Sequence, residues 1–522
     1  MRDRDCLQQL LALDGPHTAL TLVEGRVTTL SWSFTELQLQ RRYAERKLLA
    51  LGLRAGDRVL LCTANNPQSF AILLATFSIE LCLLPLHPDF SRQQVQDLLQ
   101  AHAPRLVIVD HPHRIAADSN TSVMLVHEQA EDWLQPLKPG VATASMHSEP
   151  SLQAGSDPPL LLFHSSGSTG QPKGLRYTRS MLNRFFGHLS ELYAAFPDQG
   201  LLQQQSDRVN VLPATHFGGL SFCLQALLEQ RSLHLLRSSD ASDHLWLLHR
   251  QRCQLVLLVP ALFQELLREL LAEHAEPFLP ELRHCLAMGE AVSQSQLQQI
   301  SGLLGLPVHN AYGMSECLTG IYNCAAAADA PTGSCGRLHF GEARLLTADG
   351  SEHPEEGELC VRNPTTVPCY TDESLNRQKY HDGWYHTGDL FRRDAKGNFF
   401  FVSRADLMCV INGRNVYPQD VEQVLLAHPA IALCIAAPVK LANGHQRLAV
   451  MAELTAGANL SASALVDFYL QQGAVYATPA WVQFVANIPR NGGDKPDRIA
   501  CASALQQHYE QHHQHLPSEA RT

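Results

Sequence analysis

Short apolar runs alternating with helix-period segments constrain this chain more than any other feature. GDRVLL (56–61), LCLLPL (81–86) and RLVIVD (105–110) each contain a run of three or more consecutive apolar residues, as strands buried on both faces must. Around them lie stretches, Ser33 to Leu51 and Pro67 to Glu80 among them, whose apolar residues recur every three to four positions. A strand buried on both faces needs helices above and below it, so the pattern predicts an α/β fold of βα units and mainly parallel sheets. The alternation resumes with RVNVLP (208–213), QLVLLVP (254–260) and HCLAMGE (284–290). After about residue 335 shorter strands such as GELCVRN and GNFFFVSR, set between turn residues, predict a β-rich subdomain. Beyond Arg404 come a helix, two apolar strands and a further helix capped by Ser461, a small α+β module. The segment 138–159, rich in Pro, Gly, Ser and Ala, reads as an exposed connector, and the polar, histidine-rich end as a tail that frays after about residue 505.

Composition narrows the partners. Lys+Arg 40 against Asp+Glu 51 gives a net charge of -11, without the basic footprint that nucleic acid demands. The 14 cysteines show no C-x-x-C pair and no His/Cys spacing of a zinc site, which fits a reduced, cytoplasmic protein using thiols as small apolar side chains. The longest apolar stretch, Phe70 to Leu86, is interrupted by Glu80 and Pro85, so no membrane span is expected. Only seven of the 40 basic residues are lysine, which makes each lysine position informative.

Two of those lysines fall in loops that look chemical. One residue beyond the apolar run LLLF (160–163) comes Ser165-Ser166-Gly167-Ser168-Thr169-Gly170-Gln171-Pro172-Lys173-Gly174. Small residues admit a polyphosphate close to the backbone, N–H groups and hydroxyls donate to it, and Lys173 adds charge. Gly174 stands where a Walker A loop needs Ser or Thr, so this is a phosphate loop of another kind. The second lysine is Lys495, in Pro489-Arg490-Asn491-Gly492-Gly493-Asp494-Lys495-Pro496-Asp497-Arg498.

The first of these loops resembles the signature loop of the adenylate-forming superfamily, which comprises acyl-CoA synthetases, acyl-AMP ligases, amino-acid adenylation domains and luciferases. Further elements follow in that family's order. Gly289-Glu290-Ala291 resembles the strand end that lies along adenine, and Asn310-Ala311-Tyr312-Gly313-Met314-Ser315-Glu316 resembles N-x-Y-G-x-[ST]-E. The resemblance implies an aromatic face for adenine at Tyr312 and a Mg²⁺ ligand at Glu316, an oxygen donor suited to that hard cation. In Trp384-Tyr385-His386-Thr387-Gly388-Asp389-Leu390 the aspartate would accept both ribose hydroxyls, and Arg404 would contact the ribose as well. Asp406 corresponds to the interdomain hinge, Gly413 to the loop lining the thiol tunnel, and Lys495 to the lysine bridging substrate carboxylate and α-phosphate. Asn491, Asp494 and Pro496 depart from that last motif. The resemblance implies a large N-terminal domain of residues 1–404 and a small mobile C-terminal domain of residues 405–522.

The implied reaction is ATP-dependent activation of a carboxylic acid through an acyl-adenylate, with release of pyrophosphate, then transfer to a thiol. The acceptor would be coenzyme A or the phosphopantetheine of an acyl or peptidyl carrier protein in trans. His216, Phe217 and Gly218 resemble the acyl-pocket element of acyl- and aryl-CoA synthetases, and Phe217 stands where amino-acid adenylation domains place an amine-holding aspartate. Gly289-Glu290-Ala291-Val292 is closer to those adenylation domains, which keeps a small amino acid such as glycine or alanine as an alternative. The residues beside Lys495 add another, a weakened relative that only binds ligand.

Overall fold

A computed structural model describes residues 5–87, 90, 92–112, 122–127, 130–136, 157–165, 173–195, 207–210, 213–237, 241–251, 253–258, 281–282, 284–288, 294–306, 308–322, 331, 333–407, 409–411, 414–441, 445–455, 457–490 and 496–512. Most of the connector 138–159 therefore lies outside the described residues.

Three sheets carry the βα units. The largest runs in the order Leu134–Pro136, Ser122–Val126, Leu106–Val109, Arg58–Cys62, Cys82–Leu86, Pro159–Ser165, Lys173–Thr178. Its five inner strands are parallel and its two edge strands antiparallel. The same division holds for Leu255–Leu258, His284–Met288 and Val308–Met314, which are parallel and then extended by the antiparallel strand Thr319–Tyr322. In the third, Arg208–Asn210, Leu233–Leu236 and Thr18–Glu24 are parallel and Val27–Ser33 is the antiparallel edge. Parallel neighbours need a crossover connection, whereas antiparallel neighbours can be joined directly, and these antiparallel pairs are strands consecutive in the chain.

The helix Pro67–Ser78 shows how sequence fixes this arrangement. Asn66 Oδ1 accepts from Ser69 N at 2.7 Å and Pro67 occupies the first turn, where its missing N–H costs nothing. Ten of its residues are buried, so it is apolar all round and fills the space between layers instead of shielding one face. The described cysteines join the core: thirteen are free and buried.

From Glu342 to Arg404 the strands are antiparallel, with Glu356–Arg362 and Trp384–Arg393 at the centre and Phe399–Arg404 beside the latter. Beyond residue 405 the strands Ile431–Lys440, Gln446–Leu454 and Trp481–Phe484 form a separate sheet with clusters of buried residues of its own. The C-terminal helix corrects one expectation. Instead of fraying after about 505 it runs from Arg498 to His512, because Cys501 and Leu505 are fully buried and Tyr509 stacks on Trp481 at 5.6 Å. No helix among the described residues is long and apolar enough to cross a membrane.

Candidate active site

Strand register assembles the first cluster. Asp389 and Arg404 are cross-strand partners, and Arg404 Nη1 lies 3.2 Å from Asp389 Oδ1. From the other side Tyr312 Oη donates to Asp389 Oδ2 at 2.6 Å, so one oxygen of the buried carboxylate takes a hydrogen bond while the other faces the Arg404 charge. Burial, and then the Asp389 charge, push the Tyr312 hydroxyl well above its ordinary range and keep it a donor. Gly388 makes the approach possible. It has φ +75°, and a Cβ there would stand 3.2 Å from Lys379 Nζ. The turn is held by Thr387 Oγ1, which donates to Leu359 O at 2.7 Å and accepts from Asp389 N at 3.0 Å.

Tyr312 belongs to the strand Val308–Met314, which carries Asn310, Ala311 and Gly313 as well, and its ring meets Phe391 edge-on at 4.8 Å. The turn that follows holds Ser315 and Glu316 between tyrosines. Tyr177 Oη donates to Ser315 O at 2.9 Å, and Tyr380 Oη to Glu316 O at 2.7 Å. Tyr370 Oη is 3.5 Å from Glu316 Oε1 and 3.0 Å from Tyr385 Oη. A backbone turn pinned through its carbonyls leaves the Glu316 carboxylate as a placed oxygen donor, a chemistry that fits Mg²⁺.

Lys173 opens the strand Lys173–Thr178, opposite Ser165 at the end of Pro159–Ser165. The two strands therefore hold the ends of the phosphate loop, while Ser166, Gly167, Ser168, Thr169 and Gly170 lie outside the described residues, as do Gly289, Glu290 and Ala291. Gly174 is packed so closely that a Cβ would fall 2.5 Å from Thr371 Oγ1, and its carbonyl accepts from Thr371 N at 2.9 Å. Arg176 Nη2 donates to Tyr370 O at 2.7 Å. Residues 369–371 thus bind the loop strand to the tyrosine group around Glu316.

His164, one residue before Ser165, makes a 2.7 Å Nε2 to Nε2 hydrogen bond with His102. One ring donates and the other accepts, so protonating both would break the bond. Burial lowers His164 to about 4 and also lowers His102. The folded form prefers the neutral ring, and the unfolded chain takes up protons first. Stability is therefore unaffected well above pH 6.5 and falls as pH drops from about 6.5 towards 4. We expect His164→Gln, whose amide still serves His102, to lose roughly 1–2 kcal/mol less than the parent between pH 7 and pH 5. Urea midpoints at both pH values measure this, and equal losses would exclude the pair as the cause.

His216 precedes the helix Phe217–Leu228. Phe217 is buried, stacked on Tyr177 at 4.7 Å and edge-on to Phe163 and Phe185. Above Gly218 there is open space. Ala214 and Thr215 line a small cleft with Thr63, Phe70, Leu83 and Leu220. Asp406 follows Arg404 in the short turn Ala405–Leu407. Gly413 and Lys495 lie outside the described residues.

With this geometry in place, the profile of the AMP-binding enzyme family matches residues 14–371, more than half of the chain. The chain belongs to the AMP-binding enzyme family. A 2-succinylbenzoate–CoA ligase of Geobacillus kaustophilus is 25% identical over 482 residues, covering 91% of this chain and 93% of the relative. Among solved structures, o-succinylbenzoate CoA synthetase from Bacillus subtilis with its acyl-adenylate intermediate OSB-AMP superposes with a TM-score of 0.77. It is 23% identical and covers 95% of this chain and 97% of its own. ATP-bound MatB from Rhodopseudomonas palustris gives 0.80 at 22% identity, over 98% and 100%. The protein is an adenylate-forming ligase, which activates a carboxylic acid as its acyl-adenylate and passes the acyl group to a thiol.

Several residues around the candidate site of this AMP-binding enzyme carry no sequence signal. Tyr177, Tyr370 and Tyr380 reach the 315–316 turn from remote segments, and Arg176 and Thr371 tie the loop strand to it. They act through contacts between remote segments, most of them to backbone carbonyls, which no local motif encodes.

Proposed function

We propose that this enzyme joins an aryl carboxylic acid of the 2-succinylbenzoate class to coenzyme A. The end-to-end match to a 2-succinylbenzoate–CoA ligase carries the reading. The apolar, buried setting of Phe217 supports it, since a ring stacked on Tyr177 supplies no carboxylate to pair with a substrate ammonium.

In this reading Asp389 accepts the ribose hydroxyls, Tyr312 covers adenine, and Ser165 to Gly170 with Lys173 grip the β- and γ-phosphates. Gly289, Glu290 and Ala291 border the base. Glu316 holds Mg²⁺, which when bound neutralises triphosphate charge. Lys495 stabilises the attacking carboxylate and the charge growing on the α-phosphate. His216, Phe217 and Gly218 border the acyl group. The small C-terminal unit, 405–522, turns about Asp406 and brings Gly413 to the thiol path. Catalysis of adenylation is then positioning plus cancellation of charge between two anions. The soluble pools of ATP and coenzyme A that it consumes place the reaction in the cytoplasm.

Asp389→Asn tests the ribose role. Its amide repels the donors of Arg404 and the ribose, so the KM for ATP should rise about 10–100-fold with a smaller change in kcat. An unchanged KM would exclude the contact. The substrate is tested by pyrophosphate release and thioester yield with 2-succinylbenzoate, benzoates, fatty acids and amino acids, each with coenzyme A or a phosphopantetheinylated carrier protein. The highest kcat/KM is expected for 2-succinylbenzoate with coenzyme A. Preference for an amino acid, or for the carrier protein, would overturn it.

A further inference from the structure

One converging group of side chains plays no part in the chemistry above. Cys360 and His386 are cross-strand partners in the antiparallel pair Glu356–Arg362 and Trp384–Arg393, although they stand 26 residues apart in sequence. Glu358, two residues before Cys360, lies on the same face of its strand. Register, not motif spacing, brings the three together.

The distances are those of a nearly formed coordination site. Cys360 Sγ is 3.5 Å from His386 Nδ1, His386 Nδ1 is 3.7 Å from Glu358 Oε2, and all three donor atoms lie within 4.8 Å of one another. With Zn–S near ~2.3 Å and Zn–N near ~2.1 Å, tetrahedral ligand atoms stand about 3.3–3.6 Å apart. A small rotation of the Glu358 carboxylate closes the difference. Among the described residues this is the one group of three or more His, Cys, Asp or Glu side chains so arranged.

The donor set selects the ion. A thiolate and a carboxylate supply two negative charges, and sulfur with imidazole favours zinc, cobalt or cadmium over magnesium and calcium. The His381 ring lies 5.1 Å from that of His386 and is exposed, so the fourth position of the site opens towards solvent. Burial and the Glu358 charge push the Cys360 thiol up to about 12, outweighing the nearby Arg344 and Lys379, so a cation must displace a firmly held proton, which argues for exchangeable binding over a permanent structural metal.

The site is also wired to the nucleotide side. Glu358 Oε1 accepts from Gly388 N at 2.9 Å while Oε2 faces His386, so one carboxylate links the triad to the turn immediately before Asp389. We propose that Glu358, Cys360 and His386 form a binding site for a thiophilic divalent cation, zinc foremost, coupled through Glu358 to the Gly388 turn. Binding releases the Cys360 proton to the buffer and forms the metal–thiolate bond, with no change in oxidation state.

Cobalt(II) titration of the chelator-treated full chain tests this directly. The expected result is one cobalt per chain with a thiolate-to-cobalt charge-transfer band in the near ultraviolet, displaced by zinc. Cys360→Ser should abolish that band, and His386→Gln, which keeps the thiol, should weaken cobalt binding at least tenfold. Cobalt held by the histidine-rich C-terminal segment would give no thiolate band. Absence of the band in the parent, its survival in Cys360→Ser, or unchanged affinity in His386→Gln each overturns the site. The titration needs no acid substrate, so its outcome is independent of which acid is activated.

Discussion

Replacing Lys495 by alanine is expected to slow acyl-adenylate formation about 10²–10³-fold, the size seen when one preorganised stabiliser of developing charge is removed. The reason is electrostatic. A carboxylate must attack a phosphate that is itself anionic, and a flexible point charge between them lowers the repulsion only as the new bond forms. Thioester formation from supplied acyl-adenylate needs no such neutralisation and should stay within a few-fold of the parent. Pyrophosphate release with hydroxylamine as acceptor measures the first half, and coenzyme A consumption from synthetic adenylate the second. Equal losses in both would mean that another residue carries the charge. The flanking residues bear on this lysine. Arg490 and Pro496 form an antiparallel bridge, and Asp497 N donates to Pro489 O at 2.7 Å, so the residues on either side of 491–495 are held against each other. Pro496 suits its place, since the ring stiffens the closure.

What could be read from the sequence follows from how locally each feature is encoded. The βα alternation was legible because strands buried on both faces are continuous apolar runs, as in Leu106–Val109. Asp389 and Arg404 were legible as candidates because each sits in a short motif, and their register pairing confirms only that they meet. The tyrosines were not. Tyr177 and Tyr380 touch the 315–316 turn through backbone carbonyls, across sequence separations of 138 and 64 residues. Cys360 escaped notice for a different reason. Cysteines are usually core residues, and twelve other free, buried cysteines among the described residues support that default. The C-terminal helix was misjudged because its polar outer face resembles a tail, while the few residues that anchor it, Cys501 and Leu505, are too sparse to stand out.

Arg498→Ala is expected to destabilise the C-terminal unit by about 3 kcal/mol, because it strands a buried carboxylate. Arg498 Nη1 and Nη2 each donate to one oxygen of Glu422 at 2.6 Å, a two-point pairing between the helices Pro418–Leu426 and Arg498–His512. Glu422 Oε1 also accepts from Ala436 N at 2.8 Å, so the same carboxylate binds the strand Ile431–Lys440. Exposure of the two partners is unequal: the Glu422 side chain is 7% exposed and that of Arg498 32%. An arginine left alone can still reach water, whereas the glutamate cannot, so Glu422→Gln should cost only about 1–2 kcal/mol. This asymmetry distinguishes a buried ion pair from simple loss of packing, which would make the arginine and glutamate variants comparable. Urea unfolding followed by a probe in the C-terminal unit measures both. Arg498 opens the helix three residues after Lys495, so its loss should reduce adenylation in the same direction as Lys495→Ala, but less. A Lys495→Ala, Arg498→Ala double variant should then lose little beyond the lysine variant in adenylation while keeping the full stability loss, since the arginine acts on the chemistry only by holding the lysine.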